Sequence, residues 1–454
     1  MKIVIIGGGK VGYAIAAQLT HEGHDITVVD QNPAVAERIG DTLDCMSICG
    51  RGATVAVMEE AGVPGSDLVI ACTHQDELNM LCCVFAKRLG CGSAIARVRM
   101  PEYAQQMYLL KDGLGLSTTM NPEQTAAREM FRLMEIPGVL KRESFAGGRV
   151  EIVEIVCRAG DLLDGAALME LPKKFKFRVF VGAVQRGSET FIPDGRFTLR
   201  AGDKVYICAP ATQLVHILRA LGEHRKKARR VLLIGGSRVA EYLTEMLLKA
   251  GTEVKLIEQD RQKAEYFFTR FPGAQVICAD GSNERVLAEE GAERMDAVAM
   301  MTGRDEQNLI LSMYVGGLGV PQLLTQVDHT EFGTLIQDPH NHLISPKQLC
   351  ADEMVRYVRA LQNSGGSSVV TLHHLAGGRV DALEFNVTAS CRGKGKQLRN
   401  IRLKPNLLIA CINRMGRIII PGGLDTVEVG DTVVVISDSH RKILDLNDIY
   451  ADED

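Results

Sequence analysis

Gly7, Gly9 and Gly12 stand in the order G-x-G-x-x-G directly behind the β-branched run IVII and directly before an alanine-rich helical pattern, and Asp30 closes the next β-branched run, DITVVD. Residues of these types at this spacing hold a phosphate rather than break a bond. Gly7 permits the tight turn, Gly9 lets the backbone approach a pyrophosphate, and Gly12 lets helix and strand pack closely. Gly8 and Val11 complete the turn, and the helix start offers free N–H groups and a positive dipole end to the phosphates. Asp30 is placed to accept hydrogen bonds from the adenosine ribose hydroxyls, which favours NAD over NADP because a 2′-phosphate would meet a like charge. Lys10, inside the turn, either neutralises phosphate charge or is simply solvated.

Further polar candidates sit where later strands end. Thr73 and His74 follow the fourth apolar run, at the edge that borders the ligand crevice of an open α/β sheet. Arg97 and Arg99 in IARVR are candidate phosphate partners. Groups for bond-making chemistry are scarce: a dehydrogenase needs a proton-transferring group near the nicotinamide and a domain large enough to enclose a substrate. His21 and His24 fall in a turn, and the close pairs His340/His342 and His373/His374 have no carboxylate at convincing spacing, so they read as surface or core histidines. Asp76, Glu77, Asp305 and Glu306 open helices, where capping explains them. The twelve cysteines form no CxxC pair and read as buried, reduced thiols.

The elements that must position these groups occur twice. KIVIIGGGKVG at 2–12 recurs as RVLLIGGSRVA at 230–240, so Gly235 stands 228 residues after Gly7, and Glu258 stands 228 after Asp30. CTHQDELN (72–79) returns as MTGRDEQN (301–308), VQRGSETFIPDG (184–195) as INRMGRIIIPGG (412–423), and AGDKVYI (201–207) as VGDTVVV (429–435). A common register across spaced motifs means duplication. In each copy, short strands first alternate with helical patterns, as in a parallel doubly wound sheet, and then give way to strand-rich sequence with PDG and AGD turns. The expected fold is therefore α/β, with duplicated Rossmann-like domains at 1–140 and 229–362, each followed by a small α+β domain, at 141–223 and 369–450.

The second turn is altered. Ser237 and Ala240 replace the second and third glycines, leaving Gly235, Gly236, Val239 and the acid Glu258. The Ser237 Cβ crowds the pyrophosphate path, and no arginine matches Arg97, since LLTQVDH brings Gln326 and Asp328. Arg238, the counterpart of Lys10, is the compensating phosphate contact. After the third strand, GRGA (50–53) lacks an acid that ADGS (279–282) keeps as Asp280.

A net charge of −4 over 454 residues argues against nucleic acid as a partner, because no bulk positive field exists to attract it. The chain starts on a strand pattern and carries no uninterrupted apolar run of about 18 residues, so it is expected to be cytoplasmic, with any membrane role exercised through a partner. The basic run HRKKARR (224–230) and the Gly/Ser-rich LQNSGGSSVV (361–370) read as joints.

KIVIIGGGKVG with Asp30, CTHQDELNM, IARVR with PEYA, NPEQTAA (121–127), FIPDG with AGD, and their second-copy partners together resemble the family of nucleotide-binding subunits of bacterial and archaeal Trk potassium uptake systems. That family carries two tandem RCK (regulator of potassium conductance) units, each an RCK N and an RCK C domain. The resemblance spans nearly the whole chain. It implies NAD(H) as cofactor and ATP or ADP as regulatory ligands at Gly7 to Gly12, Asp30, Thr73, His74 and Arg97, and a second NAD-type pocket at Gly235 to Val239 with Glu258. It also implies a non-enzymatic homo-oligomer, a dimer or tetramer ring, peripheral to the inner membrane beneath a membrane-embedded Trk-type potassium channel subunit. An NAD-dependent oxidoreductase, or an RCK regulator of another cation channel or antiporter, remains the alternative.

Overall fold

The computed structural model describes residues 1–100, 103, 117–135, 141–175, 177–221, 227–329, 340–364, 369–438, 443 and 445–451. Residues 224–226 of the basic run and 365–368 of the Gly/Ser-rich stretch lie outside them.

The first repeat opens with β1 (Lys2–Ile6), α1 (Lys10–His21), β2 (Asp25–Asp30), α2 (Pro33–Thr42), β3 (Met46–Cys49), α3 (Val55–Glu60), β4 (Leu68–Ala71), α4 (Asp76–Arg88), β5 (Ser93–Arg97) and β6 (Thr118–Met120). The strands form one parallel sheet in the order β3-β2-β1-β4-β5-β6. Helices cover both faces of such a sheet, so its central strands can be apolar at every position. Ile3 to Ile6 and Leu68 to Ala71 are all buried, each large aliphatic contributing about 1.5–3 kcal/mol of gross burial. Next come β7 (Lys141–Phe145), β8 (Val150–Val156), β9 (Phe180–Arg186), β10 (Glu189–Phe191) and β11 (Lys204–Pro210), an antiparallel sheet ordered β10-β9-β11-β8-β7.

The second repeat rebuilds both sheets. β12 (Arg230–Ile234), β13 (Glu253–Glu258), β14 (Gln275–Cys278), β15 (Ala297–Met300), β16 (Leu323–Gln326) and β17 (Asn341–Ile344) pair in parallel as β14-β13-β12-β15-β16-β17. β18 (Val369–Leu375), β19 (Val380–Asn386), β20 (Leu407–Arg414), β21 (Arg417–Ile419) and β22 (Thr432–Asp438) form the sheet β18-β19-β22-β20-β21.

The chain separates into two compact units by domain kind, not by repeat: residues 1–135 with 228–355, and residues 136–227 with 356–454. In the first unit the helix Pro122–Glu135, which ends the first parallel domain, buries Ala126, Ala127, Met130, Leu133 and Met134 among Val239, Leu243 and Leu247 of the second. In the other unit both antiparallel sheets share one apolar cluster that includes Phe145, Ile152, Tyr206, Ala382 and Ile436.

One expectation requires correction. β5 ends at Arg97, partway through IARVR, and the acids opening α4 and its counterpart Asp305–Gly317 are not all caps. Asp76 is buried and accepts from the N–H groups of Arg99 and Met100, 2.8 and 2.9 Å away, which draws the chain off the sheet. Asp305 does the same for Asp328 and His329, at 2.9 and 2.8 Å. No helix among the described residues is long and apolar enough to cross a membrane.

Candidate functional site

The strand order changes direction between β1 and β4, and an open α/β sheet presents its ligand crevice at the carboxyl ends on either side of such a point. The chain leaving β1 makes the glycine turn, and the chain leaving β4 is Cys72–Thr73. Gly7 has φ +105°, and a Cβ there would meet the Thr73 backbone nitrogen at 2.9 Å. A Cβ on Gly12 would collide with the Gly7 carbonyl oxygen at 1.9 Å, so α1 starts against the turn itself. Gly9 differs: a Cβ there meets nothing within 4 Å. The fold itself does not require glycine at that place, and the backbone there is open to close approach. Gly9 caps α1 without a side chain, so the first N–H groups of the helix have no side-chain acceptor.

Asp30 fastens the turn. Its Oδ2 accepts from Gly8 N–H at 2.7 Å and its Oδ1 from Asn32 N–H at 2.8 Å. Each carboxylate oxygen retains a further lone pair for a ribose hydroxyl. Cys72 lies against the turn with Sγ 3.2 Å from the Gly7 oxygen, and burial pushes its thiol up to about 12.

These groups border a cavity of about 850 Å3, inside the range of roughly 300–1,000 Å3 usual for small-molecule sites. Gly7, Gly9, Lys10, Val11, Asp30, Thr73, His74 and Arg97 line it; Gly8, Gly12 and Arg99 do not. Gly8 and Gly12 shape the turn from within. Arg99 is held away from the cavity by Asp76, 3.2 Å from its Nε, and by a bond to the His74 carbonyl. Arg97 instead pairs with Glu123 at 3.0 Å. Arg97 Nε, Glu123 Oε2 and Gln326 Oε1 are buried and have no hydrogen-bond partner among the described residues, although all three residues line the cavity. Orphaned buried polar atoms are rare in proteins and mark places where a bound molecule or water completes the bonding.

Several contributors were not singled out by the sequence. Asn79 is fully buried: its Oδ1 accepts from Thr73 N–H at 2.8 Å and its Nδ2 donates to the Arg97 carbonyl at 2.9 Å, tying the ends of β4 and β5 together. Asn308 repeats the arrangement with Thr302 and Gln326, so the shared spacing was the available signal. Asp328 and Lys347 reach the cavity from the second repeat, which no local pattern could report. Asp328 accepts from Lys10 Nζ and raises the lysine's affinity for its proton, chiefly through that bond. Arg51 also lines the cavity. A Cβ on Gly52 would strike Ile6 at 2.2 Å and one on Gly281 would strike Ile234 at 2.5 Å, which makes these glycines equivalents and sets Arg51 where the second repeat has Asp280.

The second turn assembles alike. Gly235 has φ +100°, and Glu258 accepts from Gly236 N–H at 2.5 Å and Asp260 N–H at 2.7 Å. Ser237, unlike Gly9, caps its own helix: its Oγ accepts from Ala240 N–H at 3.3 Å and takes up one of the donors a phosphate would use. Phe267 packs beneath Gly236, Val239 is buried and Arg238 is exposed. Asp280 follows β14, its carboxyl held below the usual range by bonds from the Ser282 hydroxyl and N–H.

Residues 3–122 and 231–346 match the family model of the TrkA-N domain, and residues 152–222 that of the TrkA-C domain. The chain is 30% identical over 438 residues to the Trk system potassium uptake protein TrkA homolog of Archaeoglobus fulgidus, covering 96% of this chain and 97% of that one. Against the Trk system potassium uptake protein TrkA of Halomonas elongata it is 29% identical over 457 residues, covering 99% and 98%. Among solved structures, the GsuK channel is similar with TM-score 0.63 at 17% identity, covering 97% of this chain and 77% of that one. The GsuK channel bound to NAD gives TM-score 0.61 at 16% identity, with the same coverage. At such identities the likeness establishes the fold: duplicated Rossmann-like and antiparallel domains.

Proposed function

The chain belongs to the TrkA family, and from that premise we propose that it is a nucleotide-binding regulatory subunit of potassium uptake, in which NAD(H), ATP or ADP bound at the glycine turn biases a membrane-embedded Trk-type potassium channel subunit between closed and open. The observation that carries this reading is the cavity at the β1/β4 switch point, where a bare helix start, an open Gly9 and three unpartnered buried polar atoms converge. The Archaeoglobus fulgidus and Halomonas elongata relatives are potassium uptake proteins by name, and GsuK is a channel with an NAD-bound structure.

In this reading the glycine turn and the start of α1 hold the phosphates, Asp30 takes the ribose, and Lys10, Arg97 and Lys347 neutralise phosphate charge. Thr73 and His74 line the approach. The pocket of Gly235, Gly236, Ser237, Arg238, Val239, Glu258 and Asp280 is the weaker of the two, because Ser237 already satisfies a helix donor. The ligand is a signal and leaves unaltered. A ligand can shift a conformational equilibrium only by its differential affinity for the two states, and about 4 kcal/mol of difference changes the ratio roughly a thousandfold. A homo-oligomeric ring of such subunits, on the cytoplasmic face of the membrane, would transmit that shift.

The test is potassium flux into vesicles carrying a Trk-type membrane subunit together with this protein. Flux should respond to added nucleotide, and the response should vanish with Asp30→Ala. A normal response in a protein whose two pockets no longer bind would overturn the reading.

A further inference from the structure

The two antiparallel halves of the second unit carry the same segment, AGGRV, at 146–150 and 376–380, an offset of 230 residues. Ala146 and Ala376 share an unusual positive φ, 51° and 50°, and the backbone of each meets a side chain of the opposite half, though not the equivalent one. Ala146 N–H donates to Glu384 at 3.0 Å, while Glu154, the counterpart of Glu384, bonds Tyr206, which also meets the Ala376 backbone. Arg379 donates to the Ser188 carbonyl, and its counterpart Arg149 packs on Gly416, the counterpart of Ser188. Such reciprocity defines a two-fold relation between the halves, and a residue on that axis must face its own equivalent.

At offset 230 the counterpart of Glu143 is His373, and these two do face each other: Nδ1 and Oε2 are 2.6 Å apart, with the imidazole 8% exposed and edge-on to Phe145 at 4.8 Å between centroids. One position of a duplicated fold thus holds an acid in one copy and a base in the other. We propose that the Glu143–His373 pair sorts the two halves, so that 141–221 pairs with 369–451 and not with its like in a second copy of the chain. Pairing of two first halves in the same geometry sets Glu143 against Glu143 of the second copy, and two carboxylates at that separation cannot both stay ionised. Pairing of two second halves sets imidazole against imidazole, with no acceptor between them when both are protonated. The unlike pairing alone is complementary, and within one chain the tether supplies it at high effective concentration.

The test uses full-length chains. His373→Glu places acid against acid and Glu143→His places base against base; each should lower the apparent unfolding temperature by roughly 5–10 °C, as expected when a buried pair loses one partner. The exchanged variant E143H/H373E should regain at least half of the larger loss. Co-expression of the two single variants under different tags should yield mixed species that melt above either one alone, because complementary halves are then available only between chains. If a single variant is insoluble, recovery of soluble protein on co-expression is read instead. An exchanged variant as unstable as the worse single variant, or a co-expressed mixture no better than its components, overturns the proposal.

Discussion

Lys10 of the first glycine turn donates to Asp328 of the second repeat, with Nζ and Oδ2 2.5 Å apart across 318 residues of chain. The lysine side chain is 69% exposed, and an exposed pair of this kind stabilises a protein by at most about 1 kcal/mol. On the proposed function its importance is competitive: a phosphate bound at the turn would have to share Lys10 with a carboxylate. Asp328→Asn should therefore tighten binding of a phosphate ligand by roughly two- to fivefold at low salt and leave thermal stability almost unchanged. Titration calorimetry at two ionic strengths checks this; an unchanged affinity at low salt would show that Lys10 stays on Asp328 when the site fills.

Gly7 and Gly9 should separate folding from binding. Gly7→Ala forces a left-handed residue against the Thr73 backbone and should cost about 1–3 kcal/mol of stability. Gly9→Ala meets open space, so the ligand-free protein should melt within about 1 °C of wild type, while nucleotide affinity falls at least tenfold. A Gly9→Ala protein that binds normally would show that no ligand approaches the backbone there.

Asp76→Ala removes the acceptor of two backbone N–H groups and of the Arg99 guanidinium. These donors are only partly buried, so leaving them unpaired should cost at most about 1–3 kcal/mol. The freed Arg99 should then turn toward the cavity and add to phosphate binding, a loss of stability joined to a gain of affinity that differential scanning fluorimetry and calorimetry would resolve. Loss of both together would mean that the segment after β5 has left its place.

Acid sensitivity in the antiparallel unit should trace to Asp203. Burial alone would push its carboxyl up, but two 2.7 Å bonds from Arg186 and one from the Arg200 N–H outweigh that and hold it below the usual range. A folded value lowered in this way contributes stability fully above the unfolded value, near 3.9, and the contribution is lost as pH falls below it. Asp203→Asn should destabilise the protein at pH 7 and flatten its pH dependence between about 4 and 2. An unaltered acid transition by circular dichroism would assign that transition to other groups.

What the sequence disclosed was the local and the repeated. The glycine turn, its acid and the duplication are chain-adjacent or periodic, so composition and spacing expose them, and the strand-helix alternation gave both parallel sheets. Contacts between repeats stayed hidden. Asp328 beside Lys10, Lys347 at the cavity and Glu143 beside His373 each join residues more than 200 positions apart. His373 read as a histidine without a carboxylate for that reason alone. Asp76 read as a cap because its position in the helix is a cap position; only the fold shows that it holds the backbone after β5. The helix Pro122–Glu135 was placed with the first repeat by sequence, yet its apolar face is buried in the core of the second.

The central claim is that an adenine nucleotide lodges at Gly7 to Gly12 and departs unaltered. The most direct measurement is a calorimetric titration of ATP, ADP, NAD and NADH into the purified protein, alongside Asp30→Ala and Glu258→Ala, with the recovered ligand assayed by chromatography. At least one of the four should bind to wild type, bind at least tenfold more weakly to Asp30→Ala, lose less in Glu258→Ala, and be recovered intact. No binding by any of them, or a ligand returned hydrolysed, oxidised or reduced at catalytic rates, would contradict it.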